Sequence, residues 1–197
     1  PSGETSSFRS NPLGLAEFTL SRKDPAYVGR AKAVRDKSEE VKAEVSRAEK
    51  ILEEKYPEFK GRIEKAGLGS TIYAVKPGDG SAREQAASCQ RVLGASANIA
   101  SDYATKRYRS NLINWGMIPF LYKQGDAAAT ENLPFANGDY IFVPGAKKMI
   151  AEKLPGVKAY AVRADGTTAE FELSTGDMTD DERKIIQAGC LINFYRG

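Results

Sequence analysis

The stretch from Gly69 to Gly94 constrains the fold more than any other part of the chain. Residues 70–75 (Ser-Thr-Ile-Tyr-Ala-Val) form a short β-rich run that reads as a buried strand. The turn Pro77-Gly78-Asp79-Gly80 follows, and then a helix from about Ala82 to Leu93, ended by Gly94. Further on, Ala97-Asn98-Ile99-Ala100 is a candidate strand, and residues 105–115 a second helix closed by Gly116. Residues 117–121 are an apolar run. The remainder is β-rich, with strand candidates at 140–143, 157–162 and 169–173, the last two joined by an Asp165-Gly166 hairpin turn. Thr179 and Glu182 make a capping box that opens a final short helix over 179–187. This order predicts an α/β domain with a mixed sheet and flanking helices, not a helical bundle.

Upstream, residues 1–25 are rich in Ser, Pro and Gly and are expected to be a linker or the end of a preceding domain. Asp24-Pro25 marks a helix start, and residues 26–56 predict one long charged helix. Its apolar positions, Val34, Val41, Val45, Ala48 and Leu52, make a narrow seam, so the helix is expected to rest on a larger body by one stripe. Arg35/Glu39 and Lys50/Glu54 add four-apart pairs worth roughly 0.2–0.5 kcal/mol each. The expected division is therefore 1–25, a helix over 26–60, and the α/β domain over 61–197. A start of Pro1-Ser2-Gly3-Glu4-Thr5, without Met or a basic cluster, reads as a fragment or processed piece.

The 197 residues contain no histidine. That removes Ser-His and Cys-His nucleophile pairs and histidine-based zinc sites. Cys89 and Cys190 are the only cysteines, too few to ligate an iron–sulfur cluster, and they suggest a reduced, cytoplasmic protein. The charge balance of 29 basic against 26 acidic residues is too mild for a nucleic-acid footprint. No run approaches the roughly 20 apolar residues that span a bilayer.

The chemistry concentrates in residues 77–84, Pro-Gly-Asp-Gly-Ser-Ala-Arg-Glu. A strand, a Gly-rich turn and a helix start present backbone N–H groups and the positive end of the helix dipole to an anion. Arg83 adds a planar fork suited to carboxylate or phosphate. On local pattern, phosphate binding, carboxylate binding and simple capping all remain open, because Ser81-x-x-Glu84 is itself a capping box. A second cluster, Lys106, Arg107, Arg109, Asn111 and Asn114 with Tyr103 and Tyr108 nearby, has the mix that contacts RNA. It also fits a helix that buries Tyr108, Leu112 and Trp115 and solvates its charges.

Two stretches together resemble a known family. Gly80-Ser81-Ala82-Arg83-Glu84-Gln85-Ala86-Ala87 is similar to the Gly-Ser-Ser-Arg-Glu-His-Ala motif of the aconitase family, with Ala82 and Gln85 standing for its second Ser and its His. Ser110-Asn111-Leu112 through Gly116-Met117-Ile118-Pro119 resembles that family's Ser-Asn-Leu…Gly-Leu-Leu-Pro segment. Weaker likeness extends over 176–193, and Thr5 to Asn11 is similar to a serine- and arginine-containing loop that precedes the family's last domain.

The resemblance implies a swivel-type β/β/α domain of a hydratase acting on hydroxy di- or tricarboxylic acids. It implies Ser81 as the catalytic base and Arg83 as a substrate-carboxylate ligand, with Gly80, Ala82 and Arg9 also at the substrate. It further implies a [4Fe-4S] cluster bound by a region outside this chain, cluster-bearing domains or a large subunit as partner, and no activity in isolation. The rival expectations are a non-catalytic phosphate- or RNA-binding module and a free-standing small subunit like that of isopropylmalate isomerase.

Overall fold

The computed structural model describes Phe8 and residues 10–22, 24–123 and 132–196, so Arg9 lies outside the described residues. Three helices come first: α1 (Pro12–Ser21), α2 (Pro25–Arg35) and α3 (Glu39–Lys55). Strands β1 (Ser70–Ala74), β2 (Ala95–Ala100) and β3 (Ile118–Leu121) alternate with α4 (Arg83–Val92) and α5 (Lys106–Asn114). Then come β4 (Tyr140–Phe142), α6 (Ala146–Glu152), the hairpin β5 (Val157–Val162) and β6 (Thr168–Leu173), and finally α7 (Asp180–Ala188) and α8 (Leu191–Arg196).

The strands form two sheets where one mixed sheet is expected from sequence. β1-β2-β3 is wholly parallel and β4-β5-β6 wholly antiparallel. A single bridge joins them, with Leu121 and Ser174 exchanging backbone bonds of 2.6 and 3.0 Å. The reason for the split lies in the connections. β1, β2 and β3 are linked by helical crossovers, which force parallel pairing, whereas β5 and β6 are linked by a tight turn, which forces antiparallel pairing. Gly166 closes that turn with φ of +86°.

Strand alternation distributes the core. Ala159 and Ala161 of β5 meet Ile99 and Phe120 between the sheets, together with Phe171 and Leu173. Tyr160 and Val162 point the other way, onto Ala48, Leu52 and Phe59. On the far face of the parallel sheet, Ala87, Tyr108, Leu112 and Met117 fill the space beneath α4 and α5. Ala16 and Ala31 in turn cover Cys89 and Leu93 on the back of α4. The layers therefore run α3, antiparallel sheet, parallel sheet, α4 with α5, then α1 with α2.

The expected long charged helix is two helices. Lys37 adopts φ of +50° and Ser38 starts α3 anew, its hydroxyl accepting from Val41 N–H at 3.3 Å. Glu39 and Glu40 in the first turn suit that new start. The break separates the expected Arg35/Glu39 pair, and Arg35 bonds Asp36 instead at 2.7 Å. The seam survives only on α3, where Val41, Ala48 and Leu52 are buried. α1 runs for nearly three turns from an Asn11 cap, inside the stretch expected to be a linker or the end of a preceding domain. α6 and α8 have no counterpart among the helices expected from sequence. α6 has no side-chain cap to announce it.

Candidate functional site

Because β1, β2 and β3 are parallel and joined by helices, α4 and α5 both begin at the carboxyl ends of strands, where open parallel sheets bind ligands. α4 and α5 also pack on each other. Their first turns form the walls of an open cleft of about 370 Å³. Ser81, Arg83 and Glu84 line it from one side, and Lys106, Arg107, Ser110 and Asn111 from the other.

The loop that leads into the cleft is held at Gly78. Its φ is +97°, and a Cβ there would fall on the Tyr108 side chain. Only glycine satisfies both conditions. The Gly78 carbonyl accepts from Thr105 Oγ1 at 3.0 Å and from Arg83 Nε at 3.2 Å. Thr105 simultaneously caps α5 by accepting from Tyr108 N–H at 3.2 Å. One carbonyl thus ties the starts of both helices together. The bond through Nε fixes the Arg83 guanidinium while its two terminal nitrogens meet no acceptor among the described residues. Gly80 differs from Gly78, since a Cβ there would meet nothing within 4 Å.

The capping box that Ser81-x-x-Glu84 allows does not form. The N-cap is Ala82, and no side chain caps α4. Glu84 is engaged elsewhere, its Oε1 accepting from Trp115 Nε1 at 2.6 Å. With the Asn111 amide oriented to satisfy both neighbours, its nitrogen donates to Glu84 Oε2 at 3.2 Å and its oxygen accepts from Glu84 N–H at 2.9 Å. Glu84 therefore locks α4 onto α5, and the exposed Ser81 hydroxyl has no bond to any described residue.

Below the cleft, the Tyr108 hydroxyl accepts from Gln90 Nε2 at 2.9 Å and Asn98 Nδ2 at 2.7 Å. Burial pushes the Tyr108 phenol up, so it stays protonated and serves as a rigid strut. Tyr103 is likewise buried, its hydroxyl donating to the Phe120 carbonyl at 3.0 Å. Neither ring is free to stack on a base. Arg109 is withdrawn as well, bonding Glu182 Oε1 at 3.1 Å and the Asp177 carbonyl at 2.7 Å. The basic cluster thus separates into buttress and cleft, and of its cations only Lys106 and Arg107 stand beside Ser81 and Arg83. Sequence spacing alone could not bring them there, because the meeting depends on the crossover.

No group of three or more His, Cys, Asp or Glu side chains suited to a metal ion occurs among the described residues. Cys89 is buried with its thiol pushed up by burial, Cys190 is half-buried, and both are free. This chain does not offer the thiolate set that an iron–sulfur cluster needs. Among the described residues no helix is long and apolar enough to cross a membrane.

Comparison with known proteins bears on this geometry directly. Residues 28–125 match the Aconitase C-terminal domain family, a span that takes in β1 through β3 and the whole cleft. Residues 28–125 form a domain of that family. It is 27% identical over 129 residues to aconitate hydratase A of Rickettsia bellii, covering 65% of this chain and 14% of that protein. It is 29% identical over 124 residues to aconitate hydratase A of Rickettsia felis, covering 62% and 14%. The chain thus matches only a small part of the length of these relatives. A crystal structure of 3-isopropylmalate dehydratase from Methanocaldococcus jannaschii aligns over 70% of this chain and 69% of that one, at 21% identity and a TM-score of 0.39. The chain is a mixed α/β structure, with its parallel sheet inside the matched span and its antiparallel sheet beyond it.

Proposed function

We propose that this chain is the swivel domain of an aconitase-like hydro-lyase that reversibly dehydrates a hydroxy di- or tricarboxylic acid. Arg83 holds a substrate carboxylate, and Ser81 Oγ takes the proton from the adjacent carbon. The hydroxyl on the next carbon would leave as water, assisted by a Lewis acid and a proton donor held outside this chain. The observation that carries this reading is that Ser81 lies in the cleft beside Arg83 and caps nothing. Gly80 and Ala82 flank it without side chains that would obstruct an approaching carboxylate. Arg9, outside the described residues, is proposed as a further substrate ligand.

A hydroxyl is a poor base unless positive charge stabilises its alkoxide. A unit charge about 4 Å away contributes about 4 kcal/mol at an effective dielectric constant near 20, and far less in open water. Here Ser81 is exposed, so water screens the cations around it. Covering the cleft with a partner would exclude that water and strengthen every interaction inside it. For this reason the isolated chain is expected to be inactive. The cluster-bearing region belongs to the rest of the polypeptide or to a large subunit, and a [4Fe-4S] cluster would be held there and not by this chain.

The test is Ser81→Ala in the full-length protein. A drop in kcat of at least about 100-fold, with KM and melting temperature nearly unchanged, is the expected result. Retained turnover would remove Ser81 as the base. The phosphate-binding alternative predicts instead that inorganic phosphate binds the cleft and that Ser81→Ala leaves that binding intact.

A further inference from the structure

Of the seven residues lining the cleft, three are cationic, Arg83, Lys106 and Arg107, and Glu84 is the one carboxylate. Both oxygens of Glu84 accept bonds from neutral donors, Trp115 and Asn111, and it forms no ion pair with any of the three, so cations outnumber acids in the lining. Neighbouring cations are paired away from the cleft, Arg109 with Glu182 and Lys76 with Asp102 at 3.4 Å. Lys106 and Arg107 meet no acid among the described residues. They project from the first turn of α5, which contains no acidic residue and whose dipole already disfavours cations. Like charges gathered at the positive end of a helix favour an anion arriving from outside.

We propose that Lys106 and Arg107 form a second anion subsite, gripping the carboxylate that Arg83 does not hold, and so act as selectivity residues for doubly charged substrates. The inference rests on the reading of Arg83 as the holder of the first carboxylate. The two subsites belong to different helices and face one another across the cleft. A monoanion held by Arg83 leaves Lys106 and Arg107 uncompensated, whereas a dianion satisfies both walls at once. The wall on α5 therefore contributes to discrimination while taking no part in proton transfer.

Calorimetric titration of the full-length protein with butyrate, glutarate and tricarballylate tests this, since these inert analogues carry one, two and three carboxylates. The unmodified protein is expected to bind glutarate and tricarballylate at least about tenfold more tightly than butyrate. In the Lys106→Gln/Arg107→Gln double variant that preference collapses while butyrate affinity stays constant. Lys106→Arg, which keeps the charge, retains the preference and guards against misfolding as the cause. An unchanged glutarate-to-butyrate ratio in the folded double variant overturns the subsite and leaves the Ser81–Arg83 reading standing. If Arg83→Ala fails to weaken butyrate binding, the carboxylate clamp itself is refuted and the subsite inference with it.

Discussion

The helices that begin at Asp180 and at Arg83 start in opposite ways. At α7, Thr179 Oγ1 accepts from Glu182 N–H at 3.2 Å and Glu182 Oε2 accepts from Thr179 N–H at 2.9 Å. Three acids occupy its first turn, and Asp180 pairs with Lys153 at 2.7 Å. At α4 the same sequence pattern, Ser-x-x-Glu, leaves the serine unused and sends the glutamate to another helix. α5 has a hydroxyl cap but two cations in its first turn. One start is complete within its own turn, and the starts beside the cleft leave positive charge without a partner. The difference teaches where the fold has given up local stabilisation, worth about 0.3–1 kcal/mol per misplaced charge.

The largest test of this contrast compares two glycines in the same loop. Gly78→Ala forces an alanine into φ of +97° and against Tyr108, and is expected to cost about 2–4 kcal/mol in chemical denaturation. Gly80→Ala, with nothing within 4 Å of its new methyl, is expected to change stability by less than about 0.5 kcal/mol yet lower turnover of the full-length protein. A large stability loss at Gly80 would show that the loop is held by more than Gly78.

The next test exchanges the caps. Thr179→Ala is expected to cost about 1 kcal/mol, because it removes a working N-cap, whereas Ser81→Ala is expected to leave the unfolding midpoint unchanged. Equal losses would mean that both serine-type positions cap their helices after all.

The smallest effect concerns acid. The Lys153 ammonium bonded to Asp180 holds its carboxyl below the ordinary value of 3.8. The folded value is thus lower than the unfolded one, so the contribution to stability is present above about pH 4 and fades as pH falls through the folded value. Both side chains are largely exposed, which keeps the effect slight. A carboxyl titration followed by NMR should give a midpoint below 3.8, returning toward it in Lys153→Ala.

Much of the architecture is legible from sequence where the signal is local. The runs at β1 and β5, the Asp165-Gly166 turn and the Thr179 capping box all depend on neighbours a few residues away. Ser81-x-x-Glu84 misleads because Glu84 finds Trp115, far along the chain, at 2.6 Å. The continuous charged helix misleads because Lys37 takes a left-handed conformation that its side chain does not advertise, although Ser38-Glu39-Glu40 carries the restart. Ser81 and Arg83 were visible as a motif. Lys106 and Arg107 became part of the same cleft only when two strand–helix crossovers set α4 against α5.

α5 divides its circumference into three sectors. Lys106, Arg107, Ser110 and Asn111 look into the cleft, Tyr108 and Leu112 into the core, and Arg109 across to α7. At 100° per residue these positions leave little of the helix unassigned. A helix of nine residues used on nearly every side has almost no position where sequence can drift freely. Saturation mutagenesis should therefore record this segment as one of the least tolerant in the chain. The pattern of intolerance should differ by sector, with size mattering inward, charge mattering at the cleft, and the loss of Arg109 loosening the contact between α5 and α7.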